Sequence, residues 1–128
     1  MKVVVTGADG FIGSHLTEAL VRAGHQVKAF VLYNSFNSWG WLDHCDPDVK
    51  GQFEICAGDI RDPHGVKEAM RDYDAVLHLA GQSSGEISHD DPSLDLNSNA
   101  LGTLLLLQWS HRNDVSQFLY ASSMAVYG

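Results

Sequence analysis

The sequence predicts an α/β fold, a doubly wound parallel sheet with strand order 3-2-1-4-5, and three observations carry that expectation. Short β-branched or apolar runs alternate with segments of helical periodicity along all 128 residues. The first run turns into the first helical segment through glycines spaced Gly-x-x-Gly-x-x-Gly, at Gly7, Gly10 and Gly13. Apolar residues make up 45% of the chain and charged residues 19%, a balance suited to one packed core, so residues 1–128 are expected to form one domain.

Each element has its own local cause. Lys2 to Thr6 is a β-branched run and reads as the first strand. Phe11 to Ala23 repeats apolar residues at helical spacing (Ile12, Leu16, Leu20, Val21), and Gly24 follows as a stop because glycine accepts the left-handed conformation. Gln26 to Leu32 is the second strand. Tyr33 to Gly51 is a long polar and aromatic connection with a helical turn expected near Trp41 to His44. Phe53 to Ala57 reads as the third strand. Asp62-Pro63 opens a short helix reaching about Met70, with aspartate as the cap and proline in the first helical position. Ala75 to Ala80 is the fourth strand. Asp91-Pro92 repeats the start signal for a long helix ending near Arg112, and Gln117 to Ala121 is the fifth strand. In that long helix Leu101, Leu104, Leu105, Leu106, Leu107 and Trp109 surround most of the axis, so one side must pack on the sheet and another needs a helix or a second subunit.

Composition excludes several classes. A formal net charge of −8 is the opposite of what a nucleic-acid-binding surface needs. No apolar run spans a bilayer, and the N-terminus leads directly into the glycine turn, so a cytoplasmic protein without membrane contact is expected. The seven histidines show no paired spacing suited to a metal, and none is expected. The two cysteines do not form a framework: Cys56, in an apolar run, reads as a small core residue, and Cys45 as a loop residue.

The chemistry rests on Thr6-Gly7-Ala8-Asp9-Gly10-Phe11-Ile12-Gly13. Gly7 permits the tight turn, Gly10 lets the backbone approach a pyrophosphate, and Gly13 lets the helix lie close to the strand. The helix start then offers unpaired N–H groups and the positive end of its dipole to an anion. An acidic chain can therefore hold a dinucleotide through its backbone, without a basic patch. With a strand before, a helix after and a further strand beyond, this is the Rossmann arrangement, with the ligand crevice between the first and fourth strands.

Four motifs extend the pattern over the chain: Thr6 to Gly13; Gly58-Asp59-Ile60-Arg61-Asp62; His78-Leu79-Ala80-Gly81; and Ala121-Ser122-Ser123-Met124-Ala125-Val126-Tyr127-Gly128. Asn99-Ala100-Leu101-Gly102-Thr103 adds a helix segment. With these the chain resembles the extended short-chain dehydrogenase/reductases, specifically the NAD(P)-dependent epimerase/dehydratase group acting on nucleotide sugars. The resemblance implies that Phe11 and Ile12 lie along the pyrophosphate and that Asp59 and Ile60 meet the adenine. It places Leu79, Ala80 and Gly81 beside the nicotinamide ribose and makes Asn99 a support from the long helix. Ser123 corresponds to the catalytic Ser/Thr that hydrogen-bonds the sugar oxygen at the carbon exchanging hydride. It also implies a homodimer or larger self-assembly through the long helix, and a nucleotide-sugar substrate for a full-length relative.

The sequence departs from the family pattern in three places. Val31, followed by Leu32-Tyr33-Asn34-Ser35, stands where NAD-binding members carry an acid for the ribose 2′-hydroxyl. Asn34 and Ser35 are able to donate to a 2′-phosphate, so the cofactor is read as NADP or NAD with the preference on NADP. After Ser123 come Met124 and Ala125, neither of which can move a proton as the acidic pair of a sugar-nucleotide 4,6-dehydratase does. That favours an epimerase or reductase, although Tyr33 to Asp43 resembles the dehydratase branch, which stays as the alternative. The family's Tyr-x-x-x-Lys pair, its last strands and its substrate region are not among these residues, so the chain alone is expected to bind cofactor without turnover. A non-catalytic dinucleotide-binding module and a self-associating fragment are the other readings.

Overall fold

The computed structural model describes residues 1–128, the side chain of Met124 excepted, so the expectation attached to that residue lies outside the described side chains. Five strands form one all-parallel sheet: β1 (Lys2–Thr6), β2 (Gln26–Leu32), β3 (Glu54–Gly58), β4 (Ala75–His78) and β5 (Gln117–Tyr120). Their order is β3-β2-β1-β4-β5, as expected from the sequence. The strand order reverses between β1 and β4, which opens a crevice at the carboxyl ends of these two strands.

Alternate residues of the central strands enter different cores, as both faces of a parallel sheet are covered. Val3, Val5, Val27, Ala29 and Val31 join Leu42 and Cys45 on the face carrying α1 (Phe11–Arg22). Val4, Phe30 and Val76 join Val66 and Met70 near α2 (Pro63–Ala69), with Leu105 and Leu106 of the long helix. Lys28, buried at the edge of this second core, lies 4.5 Å from the Tyr73 ring centroid and 3.8 Å from Glu54. Cation–π attraction and the carboxylate compensate its lost hydration.

The innermost residues of α1 are not its apolar stripe but Gly13, Ser14 and Thr17, with Leu16, Leu20 and Val21 packed beside them. Small side chains let the helix lie close to the sheet. Their hydroxyls are satisfied internally, Ser14 Oγ donating to Phe11 O (2.9 Å) and Thr17 Oγ1 to Gly13 O (2.9 Å). Ile12 is exposed. Gly24 takes the left-handed conformation expected of it, at φ +88°. Cys45 is a loop residue as expected, but the connection buries it in the core, whereas Cys56 on edge strand β3 is only partly covered.

Several boundaries shift. β3 begins one residue later than the sequence suggests, and β4 stops at His78 because the Leu79 and Ala80 amides turn to the Thr6 hydroxyl, each at 3.1 Å. A short helix, α3 (Gly85–Asp90), lies outside the sequence expectation; its polar sequence carries no apolar stripe, and it starts where Ser84 caps Ile87 N. The long helix begins as expected, with Asp91 capping Leu94 N, but is not uniform. It runs as α4 (Pro92–Asp95), a wider π-helical turn at Leu96–Leu101, and α5 (Gly102–Arg112).

Candidate dinucleotide-binding crevice

The turn after β1 is built by atoms its glycines lack. Gly7 has φ +69°, and a Cβ there would stand 2.8 Å from Ala80 N on the neighbouring strand end. A Cβ on Gly13 would stand 2.1 Å from Gly7 O, so only glycine permits this approach. Gly10 N donates to Gly7 O (3.0 Å), and Ser14 N to Gly10 O (2.9 Å), which closes the turn into the helix. Gly10 caps α1 without any side-chain hydrogen bond. The first N–H groups of α1, on Phe11, Ile12 and Gly13, therefore have neither a preceding turn nor a capping side chain to receive them. With the helix dipole behind them they are placed to receive an anion. The Phe11 and Ile12 side chains extend outward, 59% and 70% exposed, and leave the main chain open.

The opposite wall is organised by one buried imidazole. His78, 1% exposed, lies with Nδ1 2.7 Å from Thr6 Oγ1 and Nε2 2.9 Å from Thr103 Oγ1. Because Thr6 Oγ1 already accepts from Leu79 N and Ala80 N, its own hydrogen goes to His78 Nδ1. The ring must then donate from Nε2 to Thr103, whose hydroxyl donates to Asn99 O (2.7 Å). This assigns the neutral Nε2–H tautomer from its partners. Burial pushes the His78 pKa down to about 4, so the ring stays neutral in the folded protein near neutral pH.

Asn99 projects from the π-helical turn toward the segment after β4. Its Oδ1 accepts from Gln82 N (2.8 Å) and its Nδ2 donates to Gln82 O (2.9 Å), an amide pair that fixes the loop beyond Gly81. Gln82 Nε2 in turn reaches Ser84 O (3.0 Å) and Ser88 Oγ (3.2 Å). Leu79, Ala80, Gly81 and Asn99 are thereby brought to one side of the crevice, with Gly7 against Ala80.

The far end, beside β2 and β3, differs from what the sequence suggests. Asp59 follows β3, but its carboxylate is forked onto Arg61 Nε at 2.9 and 3.0 Å, and that guanidinium holds its pKa below the usual carboxylate range. Ile60 is buried against Gly102 of α5. Asn34 is spent on its own loop: Nδ2 donates to Ser38 O (2.8 Å) and Oδ1 accepts from Phe36 N (2.9 Å). Ser35 is exposed. Closing the loop thus uses the Asn34 carbonyl oxygen and one of the two hydrogens of its amide.

Two features escaped the sequence reading. The connection folds back onto the glycine turn, through a 3-10 turn at Gly40–His44, with Trp41 N donating to Asp9 O (2.9 Å) and the Trp41 ring 5.2 Å from that of Phe11. The Asp9 side chain is half-buried under this contact, and that burial raises its pKa from the ordinary carboxylate value. The aromatic residues of the connection were the available signal, since Trp39, Trp41 and Phe36 are unusual in a purely solvated loop. Ser123 stands past β5, exposed, where its hydroxyl accepts from Ala125 N (3.1 Å) at the start of a 3-10 turn, Met124–Tyr127. Among the described residues no group of His, Cys, Asp and Glu has the arrangement of a metal site.

Residues 3–128 match the NAD dependent epimerase/dehydratase family. A UDP-glucose 4-epimerase of Klebsiella pneumoniae is 34% identical over 131 residues, covering 100% of this chain and 93% of that protein. A dTDP-glucose 4,6-dehydratase of Streptomyces antibioticus is 33% identical over 132 residues, covering 100% of this chain and 39% of its own. Among solved structures, the UDP-glucose 4-epimerase of Thermus thermophilus in complex with NAD superposes with a TM-score of 0.77 at 33% identity, over 96% of this chain and 38% of that one. The chain thus spans less than half the length of the dehydratase and of the Thermus enzyme.

Proposed function

The chain belongs to the NAD dependent epimerase/dehydratase family, and from that premise we propose that residues 1–128 form the dinucleotide-binding domain of a nucleotide-sugar epimerase or reductase. The observation that carries the reading is the uncapped start of α1 above a turn that admits no Cβ at Gly7 or Gly13. In this reading the N–H groups of Phe11, Ile12 and Gly13 hold the pyrophosphate, and the main chain from Asp59 to Ile60 borders the adenine. Leu79 to Gly81 form the wall beside the nicotinamide ribose. When bound, the cofactor supplies a ring that accepts hydride from a sugar carbon and can return it.

The chain's own residues bind and orient. The Thr6–His78–Thr103 chain fixes the main chain at Leu79 and Ala80, and the Asn99–Gln82 pair holds the loop beyond. Ser123 is assigned to the sugar oxygen at the reacting carbon. The Ser123–Tyr127 segment holds no acidic side chain to accompany it, which supports epimerisation or reduction over loss of water. Without a Tyr-x-x-x-Lys pair among these residues, the 128-residue chain binds without turnover. The exposed leucines of the long helix support self-association, and two free thiols accord with a cytoplasmic setting. No helix is long and apolar enough to cross a membrane.

Gly10→Ala tests this placement. A Cβ at Gly10 would meet only Gly7 O, at 3.3 Å, so the fold tolerates it while the methyl group intrudes where the pyrophosphate approaches. Calorimetric titration is expected to show dinucleotide binding in the unmodified chain and a loss of about tenfold or more in the variant, with thermal melting little changed. Equal affinity in the two proteins would refute the placement.

A further inference from the structure

We infer that Asp9 supplies the carboxylate that receives the 2′-hydroxyl of the adenosine ribose, and thereby selects NAD over NADP. The inference rests on the dinucleotide reading above and concerns the place where such folds distinguish the two cofactors, the carboxyl end of the second strand.

That place carries no acid of its own. Val31 is 1% exposed and packed in the core with Leu42 and Trp39, and Leu32, the last residue of β2, is apolar. A carboxylate reaches the strand end from the adjacent glycine turn instead. Asp9 lies between Gly7 and Gly10, in a turn that Ala8 N ties to the end of β2 by donating to Phe30 O (3.4 Å).

Its position is imposed from above by the connection. Trp41 N holds Asp9 O at 2.9 Å. Gly40, at φ +58°, sits so close that a Cβ there would stand 2.5 Å from Asp9 O and 3.2 Å from Asp9 Cβ. The fold therefore places one specific residue type over Asp9 and allows no bulk there. The long connection, which has no catalytic group of its own in the reading above, acquires a role in presenting this side chain.

The charge balance gives the selectivity. Partial burial strips the carboxylate of water and raises its pKa from the ordinary value, while nearby main-chain amides partly offset this in favour of the ionised form. A 2′-hydroxyl offers a donor to such a group. A 2′-phosphate brings like charge to it, and in a partly dry site that repulsion is strong. The cations of the surrounding segments are engaged elsewhere: Arg61 with Asp59, Lys50 with Asp43 O (2.6 Å), and Arg22 with Asp46 (2.6 Å) and Asp48 (3.2 Å). The preference for NADP drawn from the missing acid at Val31 is reversed on this account, because the acid comes from another segment.

Calorimetric titration of NAD⁺ and NADP⁺ into the 128-residue chain, and into Asp9→Asn and Asp9→Ser, tests the assignment. The unmodified chain is expected to favour NAD⁺ by about tenfold or more, and either variant to narrow that ratio by about tenfold, mainly through tighter NADP⁺ binding. The ratio in the unmodified chain needs no variant to fold, so NADP⁺ binding as tightly as NAD⁺ there overturns the inference directly. NAD⁺ binding with a ratio that neither folded variant alters overturns the role of Asp9 and leaves the cofactor site standing. Failure of both dinucleotides to bind the unmodified chain overturns both.

Discussion

The imidazole of His78 joins three elements with one tautomer, receiving the Thr6 hydroxyl at the end of β1 and giving its Nε2–H to Thr103 on α5. A protonated ring would have to donate at both nitrogens, and Thr6 Oγ1 is already receiving two amides. Burial pushes the folded pKa down to about 4, against 6.5 for an ordinary histidine. In the unfolded chain the ring takes up a proton as pH falls through 6.5, whereas in the folded protein it does so only near 4. The stabilising contribution of the neutral ring is therefore complete above pH 6.5 and is lost as pH falls through the interval between the two values. Between pH 6.5 and 5 the unmodified protein should lose about 2 kcal/mol of unfolding free energy relative to His78→Gln. Urea denaturation at the two pH values measures this, and parallel pH profiles for the two proteins would show that the ring does not carry the linkage. The motif His78 to Gly81 was legible in the sequence as a family signature. The partners of its histidine were not, because Thr6 and Thr103 are 72 and 25 residues away in the chain.

At the scale of elements, periodicity and end signals located the strands and main helices, because each of those signals is local. Pro63 after its Asp62 cap and Gly24 after α1 are cases in which one residue decides a boundary. What remained illegible came from contacts between elements. The π-helical turn at Leu96–Leu101 is one example, since nothing in Leu-Asn-Ser-Asn-Ala-Leu announces a wider turn, yet it carries Asn99 toward Gln82. The docking of the long connection on the glycine turn is another, through Trp41 N and Asp9 O. Gly40→Ala probes that docking. The substitution forces a side chain into the left-handed region and drives its Cβ against Asp9 O, at a combined cost of about 1–3 kcal/mol. Hydrogen exchange should show loss of protection at the Trp41 amide while β1 and β4 amides keep theirs. Undiminished protection at Trp41 would mean that the connection is held by its buried Leu42 and Cys45 rather than by the Asp9 contact.

At the scale of the whole molecule the sheet is covered on both faces along β1, β2 and β4 but open at the edge strands β3 and β5. β5 pairs only with β4, leaving Leu119 and Tyr120 exposed. Leu96, Leu101, Leu104 and Leu107 form a second exposed apolar set, on the long helix, while Leu105 and Leu106 face the core. Apolar burial between copies would stabilise a dimer, and a net charge of −8 on each chain opposes it. Salt screens the charge and leaves the apolar term in place, so association should strengthen with ionic strength. Sedimentation equilibrium is expected to give a mass above the 14.0 kDa of one chain, rising with sodium chloride, and the double variant Leu104→Glu, Leu107→Glu should remain monomeric. A Leu119→Lys variant separates the two surfaces, since a charged edge strand blocks sheet extension without touching the helix. If that variant is monomeric and the double variant still associates, the strand edge is the contact. An unmodified chain that stays monomeric at every salt concentration would mean that neither surface suffices to overcome the charge.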